Sequence, residues 1–308
     1  MPLVLGLASS HAPSMFLPAE KWPDVHRQLV NDLPQPPELA METPEVLESY
    51  VQRINAGFAT LKEQLEKAKL DALFVIGDDQ GELFSDAFNP PFALFVGDKS
   101  SGSTSSRYAG QKIEDNHITL NNHNELAKRV LHGLMERGFD IAYMKKLQPL
   151  GRPAGGLGHA VVRVAKMMGT HETGLPTIPF LVNGYHPPQP TAERCYKLGE
   201  ALREIFENRP ERVGIYGSGG LSHCPRGPRA GWVDEPLDRW VLERIERGEG
   251  EKLKHLFTFD SDTLRSGTGE IRGWIATAGA FHGRKGTIVD YIPARHAVTG
   301  LGFAYWAL

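Results

Sequence analysis

Cysteine is scarce: the 308-residue chain has two, Cys195 and Cys224. So sparse a set excludes a disulfide framework and a paired zinc-ligand motif, and it fits a reducing compartment. Long apolar runs are missing as well, and no stretch approaches the length needed to cross a bilayer. The opening MPLVLGLASSHAP has no basic lead-in, and His11 interrupts its apolar run too early for a signal peptide, so it reads as a strand. Neither sign of charge dominates. The formal net charge is −3, and no basic stripe offers a surface to nucleic acid. Internal repeats and a convincing linker are also lacking, which predicts one domain over residues 1–308. These absences describe a cytoplasmic protein with neither a membrane nor a nucleic acid as partner. Hydrophobic residues at 41% are enough to bury a core and exclude disorder.

What is present is concentrated in Arg212 to Cys224, RVGIYGSGGLSHC. Arg212 to Tyr216 reads as a short buried strand, with β-branched Val213 and Ile215 followed by an aromatic. Gly217, Gly219 and Gly220 then let the backbone turn tightly and approach a ligand. The turn delivers Ser222 and His223 beyond the carboxyl end of the strand, the edge where open α/β sheets bind ligands. A nucleophile elbow is not formed. Tyr216 stands two before Ser218, and Cys224 two after Ser222, where G-x-S-x-G needs glycines. The dinucleotide pattern G-x-G-x-x-G fails too, because Ser222 holds its last position. Histidine remains as the group suited to moving protons near neutral pH.

Along the chain, apolar strands are predicted at Leu3–Leu7, Asp71–Ile76, Phe92–Val96, Ile141–Tyr143, Pro176–Val182, Thr287–Tyr291 and Phe303–Trp306. Thr43-Pro44-Glu45 starts a helix, with a cap, a first-turn proline and an acid at the positive end of the dipole. Leu47, Val51, Ile54, Phe58, Leu61 and Leu65 continue it as one buried stripe. Further helices are predicted at Asn124–Gly138, from His159, and at Thr191–Glu207, Pro236–Arg247, Glu251–Phe257 and Glu270–Phe281. The proline-rich Pro18–Pro44 and the polar Ser100–Ser106 read as loops. Strands alternating with helices give an α/β layered fold.

Several strand ends carry ionisable residues on Gly- or Pro-containing turns: His11 after the first strand, Asp78-Asp79-Gln80 after the second, and His186 and His223 after later ones. His159 follows the glycine-rich Gly151–Gly158, and Glu270 opens a late helix. If the strands are neighbours, these groups converge at one edge, and histidine with carboxylate is an ordinary ligand set for a divalent transition metal. Singly, each has a structural explanation. His11 could be a buried turn histidine, the aspartates could hold turn amides, and Glu270 could face a helix dipole.

The whole pattern resembles the class III extradiol ring-cleavage dioxygenases, the group containing protocatechuate 4,5-dioxygenase and 2,3-dihydroxyphenylpropionate dioxygenase. The most specific piece is GSGGLSH at Gly217–His223. SSHAP at Ser9–Pro13, GLGH at Gly156–His159, NGYHPPQP at Asn183–Pro190 and GEIRGW at Gly269–Trp274 are similar to weaker family segments. The resemblance covers nearly the full length. It implies a three-layer αβα sandwich with a central mixed sheet, a non-haem Fe(II) held by His11 and Glu270, His223 as base, and His159 as second active-site histidine. It also implies a small aromatic diol and O2 as substrates, opened by insertion of both oxygen atoms, and a homo-oligomer. Tyr185, His186 and Phe84, by their position at strand ends, are expected to touch the substrate.

One departure stands out. The family places its second metal histidine after the second strand, in an Asp-His pair, where this chain reads Asp78-Asp79-Gln80. Asp79 is the expected replacement, with Asp78, Gln80 and His186 as alternatives. One histidine with two carboxylates is a harder set that also suits Mn(II). Two other functions stay open at this level: a hydrolase whose metal activates water, and a non-catalytic binding or scaffold protein on the same fold.

Overall fold

The computed structural model describes residues 3–152 and 154–307. Met1, Pro2 and Leu308, at the ends of the expected domain, and Pro153, in the glycine-rich loop, lie outside the described residues. In chain order the regular elements are β1 (Leu3–Ser9), α1 (Trp22–Val30), α2 (Pro44–Ala68), β2 (Ala72–Gly77), β3 (Phe92–Phe95), β4 (Lys99–Ser103), β5 (His117–Asn121), α3 (Asn124–Glu136) and β6 (Ala142–Met144). Then follow α4 (His159–Met168), α5 (Thr170–Thr173), β7 (Thr177–Val182), α6 (Ala192–Phe206), β8 (Val213–Ser218), α7 (Glu235–Glu246), α8 (Ile271–Ala280), β9 (Thr287–Ala294) and β10 (Thr299–Ala307).

Eight strands form one mixed sheet in the order β6-β3-β7-β2-β8-β1-β10-β9. The four at its centre, β7, β2, β8 and β1, run parallel; β10 pairs antiparallel with β1, and β9 antiparallel with β10. Both faces are covered. Leu73 and Val75 of β2 point into a core shared with α2 and α4, while Phe74 and Ile76 point into one shared with α3, α6, α7 and α8. Successive side chains of a strand alternate between faces, so a strand covered on both sides reads as one unbroken apolar run. This is why the central strands were legible as runs rather than as alternations. The result is the expected three-layer αβα sandwich.

Because the central strands are parallel, their carboxyl ends share one edge. The turns after β1, β2, β7 and β8 carry His11, Asp78 to Gln80, Asn183 to His186, and Gly219 to His223 respectively. No helix among the described residues is long and apolar enough to cross a membrane.

Three local expectations are corrected. Pro18–Pro44 is not a continuous loop. Trp22, Val25, His26, Leu29 and Val30 form the buried face of α1, and Pro23 fits because it lies in the first turn, where its missing N–H is no loss. Ser100–Ser106 is partly strand: β4 pairs antiparallel with β5 in a two-stranded ribbon. Glu251–Phe257 forms no α-helix; the segment Gly250–His255 closes as a 3-10 turn.

Candidate metal centre and active site

His11 leaves β1 buried, at 3% exposure. Its Nδ1 lies 2.9 Å from Ser218 Oγ at the end of β8. Ser218 donates its one hydroxyl proton to Ala160 O, 2.6 Å away. The hydroxyl can therefore only accept from His11 Nδ1–H, which fixes the tautomer and leaves Nε2 with its lone pair. Burial also pushes the imidazole down to about 3, so it is neutral at physiological pH.

That lone pair faces two carboxylates. His11 Nε2 is 3.4 Å from Glu270 Oε2 and 3.6 Å from Asp78 Oδ1. Nε2 and both oxygens of Asp78 are buried with no hydrogen-bond partner among the described residues. Burial, then Glu270 and Glu82, push the Asp78 carboxyl well above its usual range. A lone pair turned toward the Glu270 carboxylate, beside an Asp78 carboxyl whose ionisation the site resists, is unfavourable unless a cation lies between them. The donor set fits a divalent metal ion: an imidazole nitrogen with oriented lone pair, the two oxygens of Asp78 that lack any other partner, and the Glu270 carboxylate beside them. His159 is within reach as well, since ligating atoms of His11, Asp78 and His159 all lie within 4.8 Å of one another.

Glu270 is placed by the last residue of a 3-10 turn, Ser266–Glu270, just ahead of α8. Its Oε2 accepts the Gly220 N–H at 2.8 Å, and its Oε1 accepts Gln80 Nε2 at 2.8 Å. A Cβ at Gly219 would come within 2.8 Å of Glu270 Oε2, and φ there is +128°, so glycine alone fits. His223 lies on the other side of Glu270, its Nε2 at 3.2 Å from Oε1. Its Nδ1–H donates to Leu221 O at 2.9 Å. Burial opposes charge on His223, but Glu270 outweighs it and holds the imidazole above its ordinary value. Tyr185 Oη is 3.3 Å from the same Nε2.

A family model for the catalytic LigB subunit of aromatic ring-opening dioxygenase matches residues 32–301. The chain belongs to the LigB family. Among relatives, a 2,3-dihydroxyphenylpropionate/2,3-dihydroxicinnamic acid 1,2-dioxygenase from Rhodococcus globerulus is 28% identical over 190 residues, 62% of this chain and 55% of that one. The protein of the same name from Photorhabdus laumondii is 24% identical over 199 residues, 65% and 56% of the two chains. A gallate dioxygenase from Pseudomonas putida is 29% identical over 160 residues, 51% and 45%. The matched part of the LigB-family chain thus spans about half the length of these relatives. A crystal structure of an uncharacterized protein from Escherichia coli K12 superposes with a TM-score of 0.54 at 12% identity, covering 98% of this chain and 99% of that one. That likeness is one of fold.

Against the expectations for a LigB-family site, His11, Glu270, His159 and His223 are gathered at one edge, with Tyr185 beside His223. Two placements are corrected. Asp79 does not face His11. Its carboxylate accepts the backbone N–H groups of Gly81, Glu82, Leu83 and Phe84, at 2.8 to 3.2 Å, and so folds the loop after β2. The residue of the pair that enters the cluster is Asp78. His186 is exposed and stays outside it; its N–H donates to Asn183 Oδ1 at 2.9 Å, so its backbone builds the turn while its ring faces solvent.

Three contributors escaped the sequence reading. Ser218 sets the His11 tautomer. Glu82 holds His159, accepting Nδ1–H at 2.7 Å and the first amide of α4 at 3.3 Å. Burial works against its ionisation, but His159, then Arg152 and Arg163, carry the carboxyl down to about 2. Asp238, fully buried, clamps the His223 turn through Ser222 N and Oγ at 2.8 and 2.9 Å. None had a local signal, because each acts on a residue remote in sequence or through a turn amide.

Proposed function

We propose that this protein is a metal-dependent extradiol dioxygenase that opens a catechol-type aromatic diol with O2, inserting both oxygen atoms. The observation that carries the reading is the Ser218-fixed lone pair of His11 directed at Asp78 and Glu270, with two further histidines at the same edge. His11, Asp78 and Glu270 would hold the ion, with His159 close by. When bound, the ion lowers the pKa of a coordinated hydroxyl and brings O2 and diol together. Fe(II) is the metal of this reading, and the oxygen-rich donor set also suits Mn(II).

The chain's own groups then divide the proton work. His223, with Nδ1–H engaged by Leu221 O, has Nε2 as its only site for taking the second hydroxyl proton of the diol. His159, with Nδ1–H engaged by Glu82, has Nε2 free to hold or deliver a proton to oxygen during ring opening. Tyr185 orients the diol or His223 through its hydroxyl. The resemblance extends the proposal to one catalytic domain acting as a homo-oligomer in the cytoplasm.

The test is to purify the protein anaerobically, load Fe(II) or Mn(II), and follow O2 uptake with a panel of catechols. Stoichiometric O2 consumption with loss of the aromatic spectrum is expected. Ester or phosphoester turnover without O2 uptake would replace this reading with the hydrolase. A second expectation concerns Glu82. Glu82→Gln should retain metal but lower kcat about 10–100-fold, the usual cost of losing a group that orients an active-site histidine. Unchanged kcat with intact metal content would remove His159 from the proton work.

A further inference from the structure

Beside His223 the fold leaves a cavity of about 190 Å³. Its inner wall includes His223 and Thr268, and Trp232 and Val233 line it as well. Arg229 and Asp262, with side chains 48% and 62% exposed, mark its solvent side. Thr268 belongs to the site's own framework, since its Oγ1 accepts the His223 N–H at 3.2 Å. The cavity therefore shares with the cluster His223, the residue that would take the proton of the diol.

Two features of the lining state what kind of substituent fits. Trp232 is 45% exposed, one of few large apolar side chains left in contact with solvent. An indole at the wall of a concave site offers a flat apolar surface for another ring. The charges point the same way. Besides His223, the lining has one basic residue, Arg229, and two acidic ones, Asp234 and Asp262. Arg229 Nε is already 3.4 Å from Asp262 Oδ2. Asp234 caps α7, its Oδ1 accepting the Leu237 N–H at 3.0 Å, and is fixed there. A carboxylate entering this cavity would meet Arg229 in competition with Asp262 and while facing Asp234. The relatives named above act, by their names, on a dihydroxyphenylpropionate and on gallate, both of which carry carboxylates.

We propose that this cavity receives the ring substituent of the substrate and selects an uncharged, flat apolar group over a carboxylate, with Trp232 as the selecting surface and Asp262 as the element that rejects anions. The inference rests on the reading of the site as one that binds an aromatic diol.

The experiment is anaerobic calorimetric titration of the Mn(II)-loaded protein with 4-phenylcatechol, catechol and 3,4-dihydroxybenzoate, so that binding is read without turnover. The expected order places 4-phenylcatechol at least about tenfold tighter than 3,4-dihydroxybenzoate, the scale of discrimination a pocket contact supplies. Trp232→Ala should weaken 4-phenylcatechol about tenfold and catechol by less than about threefold, and Asp262→Asn should tighten 3,4-dihydroxybenzoate several-fold. Equal affinities for the substituted diols, or tighter binding of the carboxylate with its loss in Arg229→Ala, overturns the proposal while leaving the diol site intact. Failure of all three diols to bind overturns the diol reading, and this inference falls with it.

Discussion

Replacing Asp78 with alanine should cost the protein its metal and, in the same step, raise its melting temperature when no metal is added. The two effects have one cause. Asp78 is 3% exposed, neither of its oxygens has a partner among the described residues, and Glu270 is its anionic neighbour. Such a carboxyl is a liability to the metal-free fold and an asset only to a bound cation. Its folded pKa is raised, so the contribution it makes to stability is present below the unfolded value near 4 and lost as pH rises. The gain from Asp78→Ala should therefore grow toward neutral and alkaline pH, with each kcal/mol worth about 2–4 °C in a chain of this size. Metal affinity should fall by more than the roughly 10–100-fold that follows loss of an outer partner. Asp79→Ala should do the reverse. Four backbone amides lose their acceptor, and each buried donor left unmet costs about 1–3 kcal/mol, so the melting temperature drops while the folded fraction still binds metal. Thermal melts at several pH values with and without Mn(II), paired with metal titration, separate the two. Parent-like metal affinity in Asp78→Ala would take that residue out of the site.

The exchange of roles between Asp78 and Asp79 shows where the sequence stops being informative. The apolar runs of β1, β2, β7 and β8 announced buried parallel strands, and parallel strands place their carboxyl ends together. That much of the site needed only composition and order. Which of two adjacent aspartates turns inward depends on the path of the loop after β2, and that path is set by the very amides that Asp79 collects. Glu82 was silent for a related reason: its partner, His159, is 77 positions away and meets it only when α4 packs beside the β2 turn. Helix α1 was hidden by proline, whose usual role as a breaker does not apply in a first turn. Ribbon β4–β5 was hidden by serine and glycine, which carry little strand preference.

His223→Ala should leave metal affinity within about tenfold of the parent while lowering turnover about 10²–10⁴-fold, the range for loss of a general base. The geometry argues for the split. His223 touches the cluster through Glu270 Oε1 at 3.2 Å, so its removal changes how Glu270 is held but takes away no atom of the His11–Asp78 pair. What it does remove is a ring nitrogen aimed by a backbone carbonyl and met by Tyr185 Oη. A second variant tests placement apart from chemistry. A Cβ at Gly267 would lie 2.0 Å from His223 Nε2, so Gly267→Ala must drive the ring from its position while keeping the imidazole in the chain. If turnover depends on where Nε2 lies, Gly267→Ala should approach the loss seen in His223→Ala, again with metal retained. Metal titration and steady-state kinetics on both variants decide the matter. Loss of metal together with activity in His223→Ala would assign His223 to the ligand set and refute its role as base. Full activity in Gly267→Ala would show that the ring need not be where Gly267 now allows it to be.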